Sequence, residues 1–323
     1  MMFTGFLIAD RKSVKMLSSV EDYLNSRNDD RAFVWLDMLD PSKEELTTVG
    51  RSLKLHPHAL DDCREGEQRP RIDDYGDYLS FVLYGVVGIG KSENHDPKKL
   101  VAFLAPDFLL TVHPLPIKTM HDELARVRKN PSLLAKTSTD EILFRLIDGM
   151  VDKFVFVING LTDEAEELED RSMEPEVNED VLQQTMALRR RILDFSRLAR
   201  SKRELIHPLT KGQFDHLSES LAFRFRHVED HLTQVIELAD SIRDRLHSIH
   251  DNFHAALAAK TNKSMKTLTV VATAMLPMSL IAGIYGMNVP LWPSTESSAS
   301  FWGVLCFMIL TGAGLILLLS RRL

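Results

Sequence analysis

Two long uncharged segments near the end of the chain constrain the fold more than any other feature. No Lys, Arg, Asp or Glu occurs between positions 267 and 295, and none between 297 and 320. Residues 268–285 and 301–319 inside them are apolar all round, and each is close to the roughly 20 residues that a helix needs to cross a bilayer. A helix of this kind is buried in a large core or spans a membrane. We therefore predict two transmembrane helices.

Basic residues flank both segments. Lys260, Lys263 and Lys266 precede the first, and Arg321 and Arg322 follow the second. The positive-inside rule places these flanks on the cytoplasmic side. We therefore predict a multi-pass protein of the plasma membrane (the bacterial inner membrane) with both termini in the cytoplasm. The chain also begins with a strand-like stretch and not with a signal-peptide pattern.

The charge balance and the cysteines restrict the partners and the compartment. Lys and Arg number 39 against 46 Asp and Glu, a net charge of −7. An acidic chain argues against nucleic-acid binding and suits a cationic partner. Cys63 lies in the polar part and Cys306 in an apolar run, so we expect no disulfide between them and a reducing compartment.

The polar part mixes strands and helices. Strand-like runs occupy 33–39, 78–89, 100–105 and 108–114. The stretch PSKEELTTVGRSL at 41–53 begins like a capped helix. After Thr139 the pattern becomes helical, and it predicts two long helices, of which the first ends in an acidic stretch and the second is rich in arginine. These charges favour an antiparallel pairing of the two helices, or they form two solvated faces.

The last part of the polar region predicts one very long helix. No Gly or Pro occurs from Gln213 to Leu276. Apolar residues recur there at steps of mainly three and four, which is typical of a coiled-coil-like seam. The seam residues are at positions 217, 221, 225, 228, 232, 235, 239, 242, 246, 249, 253 and 257. A helix of this length needs neighbours or copies of itself to be stable.

One motif supports a different function. Residues 85–92, from Gly85 through Lys91 to Ser92, satisfy the phosphate-loop pattern after a strand, which would make the protein an ATPase. That motif needs a helix that starts at the Lys and Ser. Here Pro97 and another strand-like run follow closely, so we expect a β-hairpin, and we predict that the protein is not an enzyme.

Three stretches resemble the CorA family of divalent-cation channels. They are KTNKSMKTLTVVATAMLPMSLIAGIYGMN at 260–288, HPHALDDCREGEQRPRIDDYGDYLSFVLY at 56–84 and FRHVEDHLTQVIELADSIRD at 225–244. The resemblance implies an α+β cytoplasmic domain, with α/β/α layers plus long helices. It also implies a stalk helix leading into two transmembrane helices, a homopentameric funnel, and Mg²⁺ as the main substrate, with Co²⁺ or Ni²⁺ as others.

The predicted domains follow from this resemblance and the patterns above. They are the cytoplasmic α/β domain at 1–138, a helical pair at 139–212, the stalk helix at 213–266, the first transmembrane pore helix at 267–286, an outer loop with the end of the GMN motif at 287–300, the second transmembrane helix at 301–320 and a cytoplasmic tail at 321–323.

The resemblance makes Gly286, Met287 and Asn288 the selectivity filter. Neutral amide and carbonyl oxygens there can accept hydrogen bonds from the water shell that Mg²⁺ gives up reluctantly. Steps mostly of three and four back from Asn288 predict the pore-lining and gate residues Gly283, Ser279, Leu276, Ala272, Leu268, Met265 and Asn262, and Asp251 lies three turns further down. We expect Asn288 and Asp251 to hold a hydrated cation through its water. Leu276, Leu268 and Met265 form a hydrophobic gate, although ordinary helix packing explains such residues equally well.

The chain departs from the family pattern in the regulatory region. Ile89 and His227 stand at two positions where the family's intersubunit Mg²⁺ sensor has acidic residues. Regulation is then weaker or uses other acids, with Asp73, Asp74 and Asp77 as the candidates. We expect no cofactor, and Mg²⁺ or another divalent cation is the substrate and a candidate regulator.

Histidines leave a further alternative open. His247, His250 and His254 lie on one face of the long helix, and five copies could bind a softer metal such as Zn²⁺ or sense protons. Solvated helix histidines are the simpler explanation. The zinc-transporting branch of the same superfamily is the main functional alternative, and a membrane-anchored scaffold without conduction is a third.

Overall fold

A computed structural model describes residues 2–9, 13–26, 32–64, 66, 69–86, 97–173, 179–287 and 298–322. Seven strands form one mixed sheet in the order β2-β1-β3-β7-β6-β5-β4. The strands are β1 (Met2–Ala9), β2 (Ser13–Leu17), β3 (Phe33–Leu39), β4 (Arg71–Asp74), β5 (Leu79–Val86), β6 (Pro97–Leu104) and β7 (Phe108–His113). The helices are α1 (Val20–Asn25), α2 (Lys43–Ser52), α3 (Pro57–Asp61), α4 (Lys118–Lys129), a 3₁₀ helix (Pro131–Lys136), α5 (Thr139–Ser172), α6 (Glu179–Leu209), α7 (Glu219–Tyr285) and α8 (Ser298–Arg322).

The sheet buries both faces, which gives the α/β/α layers that the resemblance implies. Strands β3 and β7 pair in parallel, with Val34 opposite Phe108, and the other described pairs are antiparallel. Because successive strand residues point to opposite faces, Trp35 and Leu36 enter different cores. One core includes α1, α2 and α3, and the other includes α4, α5, α6 and the start of α7.

The capped helix predicted at 41–53 is present as α2. The Ser42 side chain accepts a hydrogen bond from the Glu45 backbone N–H, and the Glu45 carboxylate accepts one from the Ser42 backbone N–H. This capping box satisfies two amides that would otherwise lack a partner at the start of the helix. The short local signal was therefore sufficient to locate this helix.

The structure contradicts the phosphate-loop alternative. Gly85 lies within β5, where it pairs with Lys98 of the antiparallel strand β6. Lys91 and Ser92 lie outside the described residues. Strand β6 begins at Pro97, five residues after Ser92, which leaves too little chain for the helix that the nucleotide motif needs.

The two predicted long helices are α5 and α6, and charges connect them. The Arg191 guanidinium of α6 lies 2.8 Å from the Glu164 carboxylate of α5. Arg245 of α7 contacts α5 in the same way, at 3.0 Å from Glu166. The antiparallel pairing is therefore present at these positions, although partly exposed pairs contribute only about 0–1 kcal/mol each.

Helix α6 places one lysine inside the core. Lys202 is 1% exposed, and its Nζ donates a hydrogen bond to the Tyr84 carbonyl at 3.0 Å. The same nitrogen lies 4.5 Å from the centre of the Phe154 ring. Burial lowers the pKa of Lys202 to about 7, while the carbonyl and the ring favour the charged form.

The long helix α7 begins at Glu219, a few residues later than Gln213, where the sequence predicts it to start. Asp140 explains the difference, because its Oδ2 accepts a hydrogen bond at 3.0 Å from the Ser218 backbone N–H, just before the helix. The predicted seam is confirmed at the nine positions from Leu221 to Ile249, which are all buried. Phe253 is half-buried and Leu257 exposed, so the seam ends before them.

The chain divides into two compact units. The first comprises Met1–Arg171 and Gln183–His247, and the second comprises Ser172–Leu182 and Ser248–Leu323. The second unit contains the C-terminal part of α7, from Ser248 onward, and all of α8. Two helices in the described part are long and apolar enough to cross a membrane, α7 and the segment Phe301–Leu319 of α8.

Candidate functional site

The end of α7 carries the first residues of the predicted filter. The Gly286 N–H donates to the Ala282 carbonyl at 2.9 Å, and the Met287 N–H to the Ile284 carbonyl at 3.2 Å, which closes the last turn. A Cβ at Gly286 would lie 3.2 Å from the Ala282 oxygen, so glycine permits a close approach of backbone to backbone. Met287 is 60% exposed. Asn288, the main predicted ion-binding residue, lies outside the described residues.

The predicted pore-lining residues of α7 share one exposed face. At about 100° per residue, Met265, Leu268, Ala272, Leu276, Ser279 and Gly283 lie within about 40° of a single line along the helix. All of them are exposed in the single chain, and Leu268 and Leu276 reach 69% and 70%. Large apolar side chains this exposed require a lipid or protein neighbour.

The opposite face of α7 packs on α8. Ala274 is 4% exposed, and Met278 and Ile281 are half-buried on the same side. A Cβ at Gly312 of α8 would lie 2.8 Å from the Met278 sulfur, so the two helices approach closely at that glycine. Small residues permit such contacts between membrane helices. The face that carries the predicted pore line therefore points away from α8.

Hydroxyl side chains around the start of the apolar segment bond within the helix. Each donates to the carbonyl four residues earlier, at 2.9 to 3.1 Å, and the donors are Thr261, Ser264, Thr267 and Thr269. Within a bilayer a polar group needs an internal partner of this kind. These residues can therefore enter the membrane without an unsatisfied donor.

The predicted pore-lining residues Asp251 and Asn262, which precede the apolar segment, are both exposed on α7. Their separation of three helical turns places them on nearly the same side of the helix. Asp251 Oδ1 lies 3.7 Å from His250 Nδ1. Carboxylate and amide oxygens at these positions suit the water shell of a cation.

The three candidate regulatory acids, Asp73, Asp74 and Asp77, lie at the β4–β5 hairpin, and the first two have a local role. Asp73 accepts a hydrogen bond at 2.8 Å from Arg71, which also binds Asp62 at 2.6 Å. Asp74 accepts from the Gly76 N–H at 2.8 Å, where a φ of +82° favours glycine. In the described part of the chain, no group of three or more His, Cys, Asp or Glu side chains could hold a metal ion.

His227 stands at one of the two positions where the family's Mg²⁺ sensor has an acidic residue, and several titratable groups surround it. The rings of His227 and His231 are 4.1 Å apart. Burial raises the pKa of Asp148 on α5, and the Asp152 charge adds to this, while His231, Arg224 and His227 oppose it. Ile89, the second sensor position, lies outside the described residues.

A family comparison shows what kind of chain carries this geometry. The model of the family described as CorA-like Mg²⁺ transporter protein matches residues 30–322. The chain belongs to this family. Members of the CorA-like family are membrane transporters and not enzymes, so the prediction of a non-enzyme is confirmed.

Individual CorA-like relatives cover nearly the whole chain. The cobalt/magnesium transport protein CorA of Thermotoga maritima is 25% identical over 95% of this chain and 91% of its own length. YfjQ of Bacillus subtilis is 26% identical over 89% of this chain and 88% of its own. The complete structure of the CorA magnesium transporter from Methanocaldococcus jannaschii has a TM-score of 0.86 at 20% identity, over 99% of this chain and 98% of that one. This last match confirms the fold.

Sequence reasoning did not find two contacts in this region. One is the approach of Gly312 to Met278, for which the small residues Gly312 and Gly314 in an apolar helix were the available signal. The other is the contact between His250 and His254, whose ring nitrogens approach to 3.2 Å. Their spacing placed both on one face of α7 but could not give the distance.

Proposed function

We propose that this chain mediates passive uptake of divalent cations, most of all Mg²⁺ and also Co²⁺ and Ni²⁺. The membrane potential drives the ions through a homopentameric pore, with Gly286, Met287 and Asn288 of each copy at the outer mouth. The observation that carries the proposal is the position of this motif, at the end of a transmembrane helix that continues without a break from the cytoplasmic domain. Relatives of the same family carry cobalt/magnesium transport in their names.

The chemistry of the outer motif fits a hydrated ion. Mg²⁺ demands octahedral coordination and usually keeps several waters. Five Asn288 amides would offer neutral acceptors to the hydrogens of those waters. A carboxylate ring would bind the ion more tightly and release it more slowly, whereas conduction requires both entry and exit.

The exposed line on α7 supports a pore between copies of the chain. It points away from α8, so a single chain leaves it uncovered. It includes the polar residue Ser279, and the exposed Asn262 lies about one turn before Met265 and about 80° round the helix from the centre of the line. Water suits both polar residues better than lipid. Between them, Leu276, Leu268 and Met265 would form apolar rings that close the path by dewetting.

The driving force is sufficient without a chemical fuel. A doubly charged ion gains about 4.6 kcal/mol per 100 mV of inside-negative potential, twice the value for a unit charge. This agrees with a plasma-membrane (bacterial inner-membrane) channel whose two termini lie in the cytoplasm, and which needs neither a cofactor nor nucleic acid. Asp73, Asp74 and Asp77 stay candidates for regulation by cytoplasmic Mg²⁺.

Ion flux into liposomes tests the proposal. Purified protein is reconstituted with an inside-negative potential, and the entry of Mg²⁺, Co²⁺, Ni²⁺ and Zn²⁺ is followed by a trapped indicator. We expect Asn288→Ala to lower Mg²⁺ flux at least tenfold. Asn252→Ala is the matched control, because Asn252 is an exposed asparagine of α7 that lies about 160° round the helix from the centre of the predicted pore line.

The outcomes separate the alternatives. Equal flux in wild type and Asn288→Ala refutes the assigned role of the filter. Zn²⁺ flux well above that of Mg²⁺ favours the zinc-transporting branch of the superfamily. The absence of flux for all four ions favours a membrane scaffold.

A further inference from the structure

Two histidines of α7, His250 and His254, lie close together in the second unit, away from the predicted filter. His250 Nε2 and His254 Nε2 are 3.2 Å apart, and their rings are 4.4 Å apart and inclined at 64°. His254 is exposed and His250 is half-buried, so both edges can be reached from solvent. In the metal-free chain one Nε2 donates its proton to the other.

The distance between these nitrogens matches two ligands of one metal ion. A metal–imidazole bond is about 2.0–2.1 Å long, so two neighbouring nitrogens in tetrahedral or octahedral coordination are about 2.9–3.4 Å apart. His250 and His254 can therefore chelate one ion without a change of backbone. Both protons would then reside on Nδ1, which leaves both Nε2 lone pairs free for the metal.

Asp251 completes the arrangement at one of the two rings. Its Oδ1 lies 3.7 Å from His250 Nδ1, the nitrogen that must keep its proton when Nε2 binds a metal. This separation is longer than a hydrogen bond, so the Asp251 carboxylate would have to move about 1 Å closer to accept the Nδ1 proton. In that position it would fix the tautomer and raise the basicity of the ligand nitrogen. No third protein ligand is present in the described part of the chain, so water would fill the other positions.

We propose that His250 and His254 form a binding site for late first-row dications such as Ni²⁺, Cu²⁺ and Zn²⁺. Imidazole nitrogen selects these ions over Mg²⁺, which prefers oxygen. The site therefore distinguishes transition metals from the hydrated Mg²⁺ that the outer filter would accept. At about 100° per residue the pair lies on the same side of α7 as Met265 and Ala272. The binding itself does not depend on the proposed conduction.

Ni²⁺ titration of the purified full-length protein tests the site. We expect wild type to bind one Ni²⁺ per chain with an affinity on the order of micromolar even in a large excess of Mg²⁺, because imidazole prefers Ni²⁺ to Mg²⁺. We expect His254→Ala to weaken the binding at least tenfold, because one of two chelating nitrogens is lost. His227→Asn is the matched control, since it removes an exposed histidine from the other pair with the same spacing on α7.

Copper provides a direct readout of the ligands. With one Cu²⁺ per chain, the electron paramagnetic resonance spectrum of wild type should show nitrogen couplings from two imidazoles, and that of His254→Ala couplings from one. Loss of Ni²⁺ affinity in His227→Asn, unchanged affinity in His254→Ala, or a wild-type Cu²⁺ spectrum without two nitrogens would each overturn the proposal. Because His254 is exposed, its replacement leaves the fold intact, which circular dichroism verifies.

Discussion

Replacement of Lys202 by Met measures what a buried cation costs this fold. Burial lowers the pKa of Lys202 from 10.5 to about 7, which at about 1.4 kcal/mol per pKa unit amounts to about 5 kcal/mol of destabilisation well below pH 7. At pH 7 about half of the folded chains have released this proton, so the destabilisation there is slightly smaller, about 4 kcal/mol. Met fills a similar volume, but it removes the hydrogen bond that Lys202 donates to the Tyr84 carbonyl, at a cost of about 2 kcal/mol. We therefore expect Lys202→Met to raise the free energy of unfolding by about 2 kcal/mol at pH 7.

The pH dependence identifies the cause of this gain. Below pH 7 the folded and unfolded chains both hold the lysine proton, so the destabilisation is constant. Between pH 7 and 10.5 the unfolded chain holds more protons than the folded chain, and wild-type stability rises with pH by up to about 1.4 kcal/mol per unit. Lys202→Met lacks this rise, so its advantage should fall to about zero at pH 9.

Urea unfolding of the detergent-purified protein at pH 7 and pH 9 provides the assay. Trp35 is fully buried in the sheet and reports on its core once Trp292 and Trp302 are replaced by Phe. Lys211→Met, at an exposed lysine, is the control and should change little at either pH. A stability difference between Lys202→Met and wild type that is the same at both pH values would refute the reasoning.

Three further predictions concern other parts of the chain. Burial opposes the charge on His113, but the hydrogen bond and charge of Asp37 outweigh it and raise the pKa of His113. His113→Gln should therefore lower the free energy of unfolding by about 1–3 kcal/mol at pH 6, as measured by urea unfolding. The loss should become smaller as the pH rises above the pKa of His113 in the folded chain. Equal losses at pH 6 and pH 9 would contradict this. Burial raises the pKa of Cys63 to about 12, so iodoacetamide at pH 8 should modify it at least a hundredfold more slowly than a free cysteine, as followed by mass spectrometry. Leu276→Asn should raise Mg²⁺ flux several-fold at high internal Mg²⁺, because a polar side chain lets water enter the gate. Leu310→Asn, at an exposed position of α8, is the control and should leave the flux unchanged. Equal flux in the two variants would show that Leu276 is not part of a gate.

Local signals were sufficient to predict much of the fold. The strand at 33–39 follows from its length and apolar composition and the uninterrupted helix α5 from its periodicity, and both are present. The seam of α7 was predictable because burial repeats along the helix with the period of the sequence. Strands β2 and β4 and helices α1 and α4 were not predicted, because β2, β4 and α1 are short and α4 carries many charges.

Features set by contacts distant in sequence could not be predicted. The start of α7 depends on Asp140, which lies 78 residues before Ser218. Lys202 belongs to a helix rich in arginine, and nothing in the local pattern separates it from its exposed neighbours. For the candidate site, the sequence predicted which residues share a face of α7, and the structure adds that this face is opposite to the contact with α8.

The two cores of the sheet have consequences for synthesis. The core beside α1, α2 and α3 uses residues no later than Val112, so it can close early as the chain emerges. The other core needs Leu232 of α7, and the apolar segment starting at Leu268 follows it by only about ten helical turns. The sheet and the helices packed on it can therefore be complete only shortly before the apolar segment leaves the ribosome, which brings the folding of this part close in time to membrane insertion.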